Sequence, residues 1–422
     1  MQHIVRKRLL KNIISLIILQ GSNYIFPLIT FPYLVRILDA GNYGILVFCV
    51  ALMQFLNIFV DYGFNMSATR EIAINKTSPN KVNAIYNIVM TIKTLLTITT
   101  GILYLVIIIF VPNSDGHLIA FLISFLIIVG NTLFPIWLYQ GLEKMKYITI
   151  LNIISKVIVT VLIFTLIKEK EDINLAVFFQ TLYYVLPGLI SVFVVKNKFN
   201  ITFRFVFDFQ IIREELKKGV HFFTTNLWIN FYSQGPLIIL GFISGNVATG
   251  NYGIGQKIMG AFYGLAQPII QAIYPFICDL YENNRKKFLK FRKNMLYLSL
   301  LVSLLISTSL YLFSNEVTKI VSGSPNTEIS TLVRIFSIII LLSITNTVTA
   351  RIMYAMSMQK HLSKIYLIAA FTFIALSFPL TILFQESGMA ISVILSELVI
   401  FIFSFKSVLL HTPCEEVSKK IS

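Results

Sequence analysis

The sequence predicts an all-α integral membrane protein with 12 transmembrane helices in two parallel six-helix lobes and with both the N and C termini in the cytoplasm. Three observations predict this fold class. Hydrophobic residues make up 56% of the 422 residues, only 13% are charged and mean hydropathy is +0.79, whereas a soluble domain carries about 25% charged residues. Apolar stretches of membrane-spanning length recur along the chain. One pentapeptide occurs once in each half.

The predicted helices follow from the length of the apolar stretches. A helix needs about 20 apolar residues to cross the hydrocarbon core, and its backbone must satisfy its own hydrogen bonds there. Twelve stretches meet this requirement. They are 12–37, 43–64, 83–111, 117–140, 147–167, 174–195, 219–243, 250–277, 294–313, 331–354, 362–384 and 387–409.

The basic residues predict the orientation of these helices. With both termini in the cytoplasm, 26 of the 35 Lys and Arg residues fall on the cytoplasmic side and only 4 on the other side, namely Arg36, Lys168, Lys170 and Lys319. Basic residues concentrate in cytoplasmic loops of membrane proteins. The net charge of +16 therefore reflects topology, and we expect no nucleic-acid partner.

The repeated pentapeptide Gly-Asn-Tyr-Gly-Ile stands at 41–45 and again at 250–254, so nearly half the chain separates the two copies. Each copy follows a long apolar segment and opens the next predicted span. Six spans per half return the chain to the same side, so the repeat is parallel. We expect the two copies to turn and cap helices rather than to contact substrate. The predicted domains are a lobe at 1–195, a cytoplasmic linker at 196–218, a lobe at 219–410 and a cytoplasmic tail at 411–422.

The linker carries an alternating aromatic pattern, with Phe203, Phe205, Phe207 and Phe209 separated by single residues. Period-two alternation places these rings on one edge. We favour a linker that lies on the lipid headgroup layer over a binding site for a partner protein.

The sequence contains none of the motifs expected of a soluble catalytic domain. It has no P-loop, Rossmann fingerprint, nucleophile elbow or cluster of metal ligands. Cys49, Cys278 and Cys414 have no disulfide or metal spacing. We therefore expect no enzyme activity, cofactor or metal. A repeat of membrane-spanning halves is typical of transporters. Without a nucleotide-binding motif, such a transporter would take its energy from an ion gradient or from the gradient of its substrate.

Ionisable residues inside the predicted spans are the candidate functional residues, because a charge in lipid must be paired or hydrated. Lys93, Lys156 and Glu397 lie deepest. We expect a cavity that binds an anionic substrate and is lined by Lys93, Lys156 and Lys257. Glu397 is expected to be either a counter-ion for one of these lysines or a protonation site. Arg334 and Arg351 lie near span ends, and Asp61 is expected near the cytoplasmic face in a salt bridge with Arg70.

Three stretches resemble bacterial O-antigen flippases of the polysaccharide biosynthesis protein family, which is related to the multidrug and toxin extrusion exporters and to the lipid II flippases. They are FPYLVRILDAGNYGILVF from Phe31, DYGFNMSATREIA from Asp61 and WLYQGLEKMKYI from Trp137. Arg36 and Arg70 lie inside them, each near a membrane face. The second half matches less closely, and YAMSMQKH from Tyr354 is a faint counterpart of YQGLEKMK from Tyr139.

The resemblance implies a flippase that moves undecaprenyl-diphosphate-linked oligosaccharide units from the cytoplasmic to the periplasmic leaflet of the inner membrane by alternating access. Its implied partners are the lipid-linked substrate, membrane lipids, a polysaccharide polymerase and a chain-length regulator. One alternative is a cation-coupled multidrug exporter, although deep lysines outnumber deep acids here. A membrane glycosyltransferase or polymerase would need a long outer loop with catalytic acids. A scaffold without transport leaves the buried charges unexplained.

Overall fold

The computed structural model describes residues 2–112 and 115–410, without the side chains of residues 2–14, 16, 17, 115, 265, 268, 269, 271 and 272. The predicted tail at 411–422, which includes Cys414, lies outside the described residues. Within the described ranges the regular structure is helical. The α-helices are α1 (Gln2–Asp61), α2 (Phe64–Asn75), α3 (Pro79–Ile109), α4 (Leu118–Ser124), α5 (Leu126–Leu133), α6 (Ile136–Gly141), α7 (Met145–Leu166), α8 (Ile173–Phe199), α9 (Phe209–Ile243), α10 (Gly245–Asn283), α11 (Arg285–Leu312), α12 (Ser314–Ser322), α13 (Thr327–Ala355) and α14 (Gln359–Leu410).

Eight helical segments in the described part of the chain are long and apolar enough to cross a membrane. They are Ile18–Asp61, Pro79–Ile109, Leu118–Gly141, Met145–Leu166, Lys170–Phe199, Arg285–Leu312, Thr327–Ala355 and Gln359–Leu410. Helices α9 and α10, where the sequence predicts the seventh and eighth spans, are not among them. The first half of α9 alone carries Arg213, Glu214, Glu215, Lys217, Lys218 and His221.

Two of these segments are long enough for two crossings each. Ile18–Asp61 has 44 residues and Gln359–Leu410 has 52, which at 1.5 Å per residue is about 66 Å and about 78 Å. Each contains one residue with positive φ that interrupts the helix, Asp39 (φ 62°) in α1 and Gln385 (φ 49°) in α14. The Asp39 carboxylate accepts a hydrogen bond from the Asn42 amide at 2.9 Å, so it caps the helix that follows.

The chain divides into two compact units, Met1–Gly250 and Asn251–Ser422. In the first unit, α2, α3, α7 and α8 pack around Trp137 and Tyr139, whose side chains are fully buried. Two helices of this unit are broken inside the bundle. Tyr62 and Gly63, with φ of 43° and 84°, separate α1 from α2, and Phe134 and Pro135 separate α5 from α6.

The second unit has its own core, in which Phe288 of α11, Ile352 and Met353 of α13 and Leu362 of α14 are buried together. Helix α13 runs unbroken for 29 residues through this core. The division at Gly250 includes α9 and the interlobe linker in the first unit, whereas the lobe boundaries at 195 and 219 remain predictions of the sequence.

Backbone landmarks recur in the two halves of the chain, but their register differs from that of the pentapeptide. The positive-φ residue Asp39 corresponds to Gly245, and the start of α3 corresponds to the start of α11. Farther along, the positive-φ residue Glu143 corresponds to Ser357, with a wider spacing than the earlier pairs.

The register of the landmarks decides which residues of the second half correspond to the two deep lysines. Lys93 corresponds to Ser299 in the register of the earlier landmarks, and Lys156 corresponds to Ala370 in that of the later ones. The pentapeptide register would instead have assigned Val302 and Ile365. Neither lysine therefore has a basic counterpart in either register.

The first pentapeptide lies against the start of α10 within the first unit. A Cβ atom at Gly44 would overlap the Asn246 carbonyl, and one at Gly250 would overlap the Ala40 carbonyl. Both contacts therefore need glycine, because any side chain would separate the two backbones. The expected turn-and-cap role of the pentapeptide is therefore wrong, because both copies lie inside helices. Gly44 and Gly250 instead allow a close helix crossing, and Asp39, outside the motif, caps the helix.

The linker between Asn200 and Asp208 is extended and follows α3. The Arg204 amide donates to Asn87 Oδ1 at 3.0 Å, and the Val206 amide donates to Thr91 Oγ1 at 3.1 Å. Phe207, next to the second of these hydrogen bonds, is 85% exposed. The two polar side chains of α3 satisfy backbone groups that the extended segment leaves unpaired. Contact of the phenylalanine edge with the headgroup layer remains a prediction.

Candidate functional site

Asp61 and Lys93 form a buried ion pair in the first unit. Lys93 Nζ donates to Asp61 Oδ1 at 3.2 Å, and the two side chains are 3% and 17% exposed for lysine and aspartate respectively. Asn65 donates to the other carboxylate oxygen, Oδ2, at 2.7 Å. The backbone break at Tyr62 and Gly63 lies directly beside Asp61. Both charges are therefore compensated where water is excluded, as a buried charge requires.

The partner of Asp61 differs from the sequence expectation, which paired it with Arg70. Arg70 is exposed on α2. The Asp61 carboxylate instead meets Lys93 of α3. The expected position of Asp61 near the cytoplasmic face stays a prediction.

Helix α9 packs against this break through small residues. A Cβ atom at Gly63 would contact Phe222 and the Gly219 carbonyl, and one at Gly219 would contact the Tyr62 carbonyl. The Tyr62 ring stacks on Phe223 with centroids 4.8 Å apart. Close contact between the two backbones therefore depends on a glycine on each side.

An ion-pair cluster around the exposed lysine Lys218 lies next to this crossing. Lys218 bonds to Glu71 at 2.6 Å and also to Glu215. Partial burial opposes the charge on Lys218, but hydrogen bonds to both carboxylates outweigh it and raise its pKa above the ordinary value. The cluster therefore joins α9 to α2 through a lysine that keeps its charge.

Lys156 uses a different partner. Its side chain is 9% exposed in α7, and its Nζ donates to Asn23 Oδ1 of α1. Asn23 is itself exposed. Lys93 and Lys156 thus project from different helices of the first unit, one paired with a carboxylate and the other with an amide. Lys257 belongs to the second unit, where its side chain is exposed on α10.

The deep acid Glu397 is held by α13. Asn346 Nδ2 donates to Glu397 Oε2 at 2.6 Å and to the Glu397 carbonyl at 2.9 Å. Glu397 is 9% exposed and Asn346 is 4% exposed. Tyr263 and Thr347, one residue along α13, share a hydrogen bond of 2.8 Å. The second unit therefore contains a buried polar cluster in which an amide holds a carboxyl group.

The three remaining candidate arginines have other described contacts. Arg334 donates to Ser314 Oγ at 2.9 Å and Asn315 Oδ1 at 3.3 Å, and so joins α13 to α12. The Arg351 guanidinium lies 5.8 Å from the centre of the Tyr274 ring. Arg36 is exposed on α1 and also engages a neighbour.

Sequence reasoning missed the two asparagines that hold charged groups, Asn23 and Asn346. The signal was present, because each is an amide within an apolar span, where a polar side chain needs a partner. What the sequence did not contain was the pairing, since Asn23 lies 133 residues from Lys156 and Asn346 lies 51 residues from Glu397.

Comparison with known proteins identifies the family. The polysaccharide biosynthesis protein family matches residues 9–281. The chain is 36% identical to an Escherichia coli strain K12 protein over 388 residues, which is 92% of this chain and 93% of that protein. The chain belongs to the polysaccharide biosynthesis protein family. A Shigella dysenteriae relative is 31% identical over 94% of this chain and 99% of its own length. Both relatives bear the name "Putative O-antigen transporter".

Solved structures support the fold. A multidrug resistance MATE family transporter in an inward-facing conformation superposes with a TM-score of 0.60 at 14% identity, covering 94% of this chain and 100% of that chain. The lipid II flippase MurJ in an inward closed conformation gives 0.56 at 12% identity, covering 95% and 87%. Family membership and the apolar helices make this protein a multi-pass transporter of the bacterial inner membrane, not an enzyme.

Proposed function

We propose that this protein is a flippase for undecaprenyl-diphosphate-linked oligosaccharide units, such as those of O-antigen, and moves them from the cytoplasmic to the periplasmic leaflet. The observation that carries the proposal is the likeness to O-antigen transporters over nearly the full length of both chains. The buried lysines of the first unit add a physical reason. A diphosphate carries negative charge, and a lysine ammonium binds phosphate as a point charge.

The proposed architecture is twelve spans in two parallel six-helix lobes, at 1–195 and 219–410, with both termini in the cytoplasm. Alternating access between two such lobes moves a bound head group across the bilayer. The lipid tail stays in the membrane during this movement, so the protein has to accommodate only the diphosphate and the sugars. A polymerase and a chain-length regulator would act on the product at the periplasmic face.

We assign substrate binding to Lys93, Lys156 and Lys257. Lys156 is held by a neutral amide and Lys257 is exposed, so an incoming diphosphate meets no competing carboxylate from their described contacts. Lys93 differs, because the diphosphate has to displace Asp61 to reach it. Substrate binding at Lys93 therefore includes the opening of an ion pair beside the break between α1 and α2.

The test is a strain that lacks this protein, analysed for lipid-linked oligosaccharide in the cytoplasmic leaflet. Such a strain should accumulate the oligosaccharide and lose surface polysaccharide. The wild-type gene should remove the accumulated oligosaccharide and restore surface polysaccharide. The Lys156→Ala variant, present at the same protein level, should do neither. Lys319→Ala, on the exposed face of α12, is the matched control. Normal surface polysaccharide in the strain that lacks the protein would contradict the proposal.

A cation-coupled multidrug exporter is the second candidate, and the deep acid Glu397 favours it because such exporters bind cations at buried carboxylates. Drug sensitivity of the same strain separates the two functions. A flippase predicts altered surface polysaccharide with unchanged efflux of hydrophobic drugs, and an exporter predicts the reverse.

A further inference from the structure

We propose that the second unit binds an anionic phospholipid along an exposed stripe of α11, where three lysines are followed by a tyrosine and two leucines. The members of this α11 stripe are Lys286, Lys290, Lys293, Tyr297, Leu301 and Leu304. The site stands apart from the proposed function, because its ligand is a lipid of the surrounding bilayer and it uses none of the lysines assigned to substrate.

The six side chains of the α11 stripe lie on one face of the helix. Successive members are three or four residues apart, and this spacing brings side chains to the same side of an α-helix. All six residues are exposed. The Lys293 Nζ atom lies 5.9 Å from the centre of the Tyr297 ring. One continuous exposed surface therefore leads from the lysines past the tyrosine to the leucines.

The polarity of the α11 stripe changes along the helix as a phospholipid changes from head group to acyl chain. At 1.5 Å per residue, Lys293 and Leu304 are about 16 Å apart along the axis, and one leaflet contributes about 15 Å to the hydrocarbon core. Tyrosine is enriched where the core meets the head groups, which fits Tyr297 between the lysines and the leucines. Lys290 and Lys286 then lie about 5 and 10 Å farther out, at the level of the phosphates.

The described acidic side chains do not compensate these three lysines. Within the part of the chain that the structure describes, the ion pairs involve other basic residues and not Lys286, Lys290 or Lys293. The first turn of α11 contains no acid, and basic residues at the start of a helix oppose its dipole. A lipid phosphate beside the lysines would supply the missing negative charge.

Helix α7 shows that membrane orientation does not require three lysines on one exposed face. Its own exposed face has similar spacing and contains Ile150, Ile154, Val157 and Val161, but it begins with the single lysine Lys146. The preference for basic residues on the cytoplasmic side depends on their number near span ends, not on the face that they occupy. The alignment of three lysines with the exposed leucines of α11 therefore needs another reason, which a bound anionic lipid provides.

The experiment is native mass spectrometry of the full-length protein in detergent micelles. The protein is titrated with dioleoyl phosphatidylglycerol and, separately, with dioleoyl phosphatidylcholine, which has the same acyl chains and no net charge. We expect wild type to bind phosphatidylglycerol at least about tenfold more strongly, because one lysine near anionic head groups strengthens binding about fivefold. The triple variant Lys286→Gln, Lys290→Gln and Lys293→Gln should lose this preference. Arginine at the same three positions should retain it.

The matched control removes three exposed charges near the starts of α3 and α7. It is the triple variant Lys81→Gln, Lys144→Gln and Lys146→Gln, which has the same net charge as the α11 triple variant. The control should bind phosphatidylglycerol as wild type does. If α11 with three glutamines does not insert into the membrane, Lys290→Gln alone should weaken phosphatidylglycerol binding about fivefold.

Four results would overturn the proposal. Wild type could bind the two lipids equally, or the α11 variants with glutamine could retain the full preference for phosphatidylglycerol. An equal loss in the control would show that net charge, and not the α11 stripe, determines binding. Displacement of phosphatidylglycerol by an equal concentration of inorganic phosphate would show that the lysines bind a free anion without the acyl chains.

Discussion

The two units stabilise their deep charged groups in different ways. In the first unit Lys93 faces Asp61, an opposite charge. In the second unit Glu397 accepts hydrogen bonds from Asn346, which brings no charge of its own. An ion pair is neutral as a whole and can remain buried through a transport cycle. A carboxyl group held by an amide can gain a proton or a cation and keep its hydrogen bond. The two units therefore differ in the described group that holds the deep side chain, which is an opposite charge in the first unit and a neutral amide in the second.

The largest expected effect is at the ion pair. Lys93→Ala leaves the Asp61 carboxylate buried without its cation, and breaking such a pair costs about 3–5 kcal/mol. We expect thermal unfolding of the purified protein to occur at a clearly lower temperature. The double variant Asp61→Asn with Lys93→Met removes both charges and should regain most of the lost stability, because a neutral pair of similar size replaces the ions.

The same variants separate stability from transport. If Lys93 binds substrate, the double variant should fold and still fail to restore surface polysaccharide. Full restoration by the double variant would show that Lys93 is a structural residue, and the first unit would then retain only Lys156 as a substrate ligand.

A smaller effect is expected in the second unit. Glu397→Ala leaves the Asn346 amide buried without its side-chain acceptor, which costs about 1–3 kcal/mol. Glu397→Gln keeps an acceptor oxygen at the same place and should change stability by less than about 1 kcal/mol. If Glu397 couples transport to protons, Glu397→Gln should abolish the dependence of transport on the proton gradient. An unchanged dependence would exclude that role.

A variant of Lys156 can show whether the stability effect of a deep charged group depends on the unit it belongs to or on the type of partner that holds it. It lies in the first unit but is held by the amide of Asn23, as Glu397 is held by Asn346. Lys156→Met keeps the apolar stem and removes the charge, so we expect a change in unfolding free energy below about 1 kcal/mol. A loss as large as that of Lys93→Ala would show that the first unit depends on every deep charge.

The smallest effect is predicted for an exposed pair that serves as reference. Lys76 and Glu143 approach to 2.5 Å, closer than Lys93 and Asp61, but their side chains are 41% and 37% exposed. Exposed ion pairs contribute about 0–1 kcal/mol because water screens them. Lys76→Ala should therefore leave the thermal unfolding temperature almost unchanged. A large decrease in the unfolding temperature of Lys76→Ala would mean that burial does not determine how much each charged pair stabilises the protein.

The sequence predicted the helical membrane fold and the deep charges because both follow from composition along one chain. It paired Asp61 with Arg70, which is near in sequence, whereas the observed partner, Lys93, comes from another helix 32 residues away. It also missed Asn23 and Asn346, whose partners are distant in sequence. Asn251 belongs to the repeated pentapeptide, where the sequence predicts a helix cap, but its side chain donates to Glu328 and Glu386 of other helices. Nothing in so short a motif indicates these partners.

The unequal spacing of the backbone landmarks records a difference in length between the halves. The second half is longer between the start of α11 and Ser357 than the first half is between the start of α3 and Glu143. The extra length coincides with α12 and with an α13 of 29 residues, where the first half has the 24-residue broken segment Leu118–Gly141.

This difference bears on the descent of the two halves. If the two halves descend from one duplicated gene, as the repeated pentapeptide predicts, one copy has gained or the other has lost material at this point. An alignment of the halves without a gap there would pair residues that have no common descent. Searches for conserved symmetric positions should therefore treat the parts before and after this point separately.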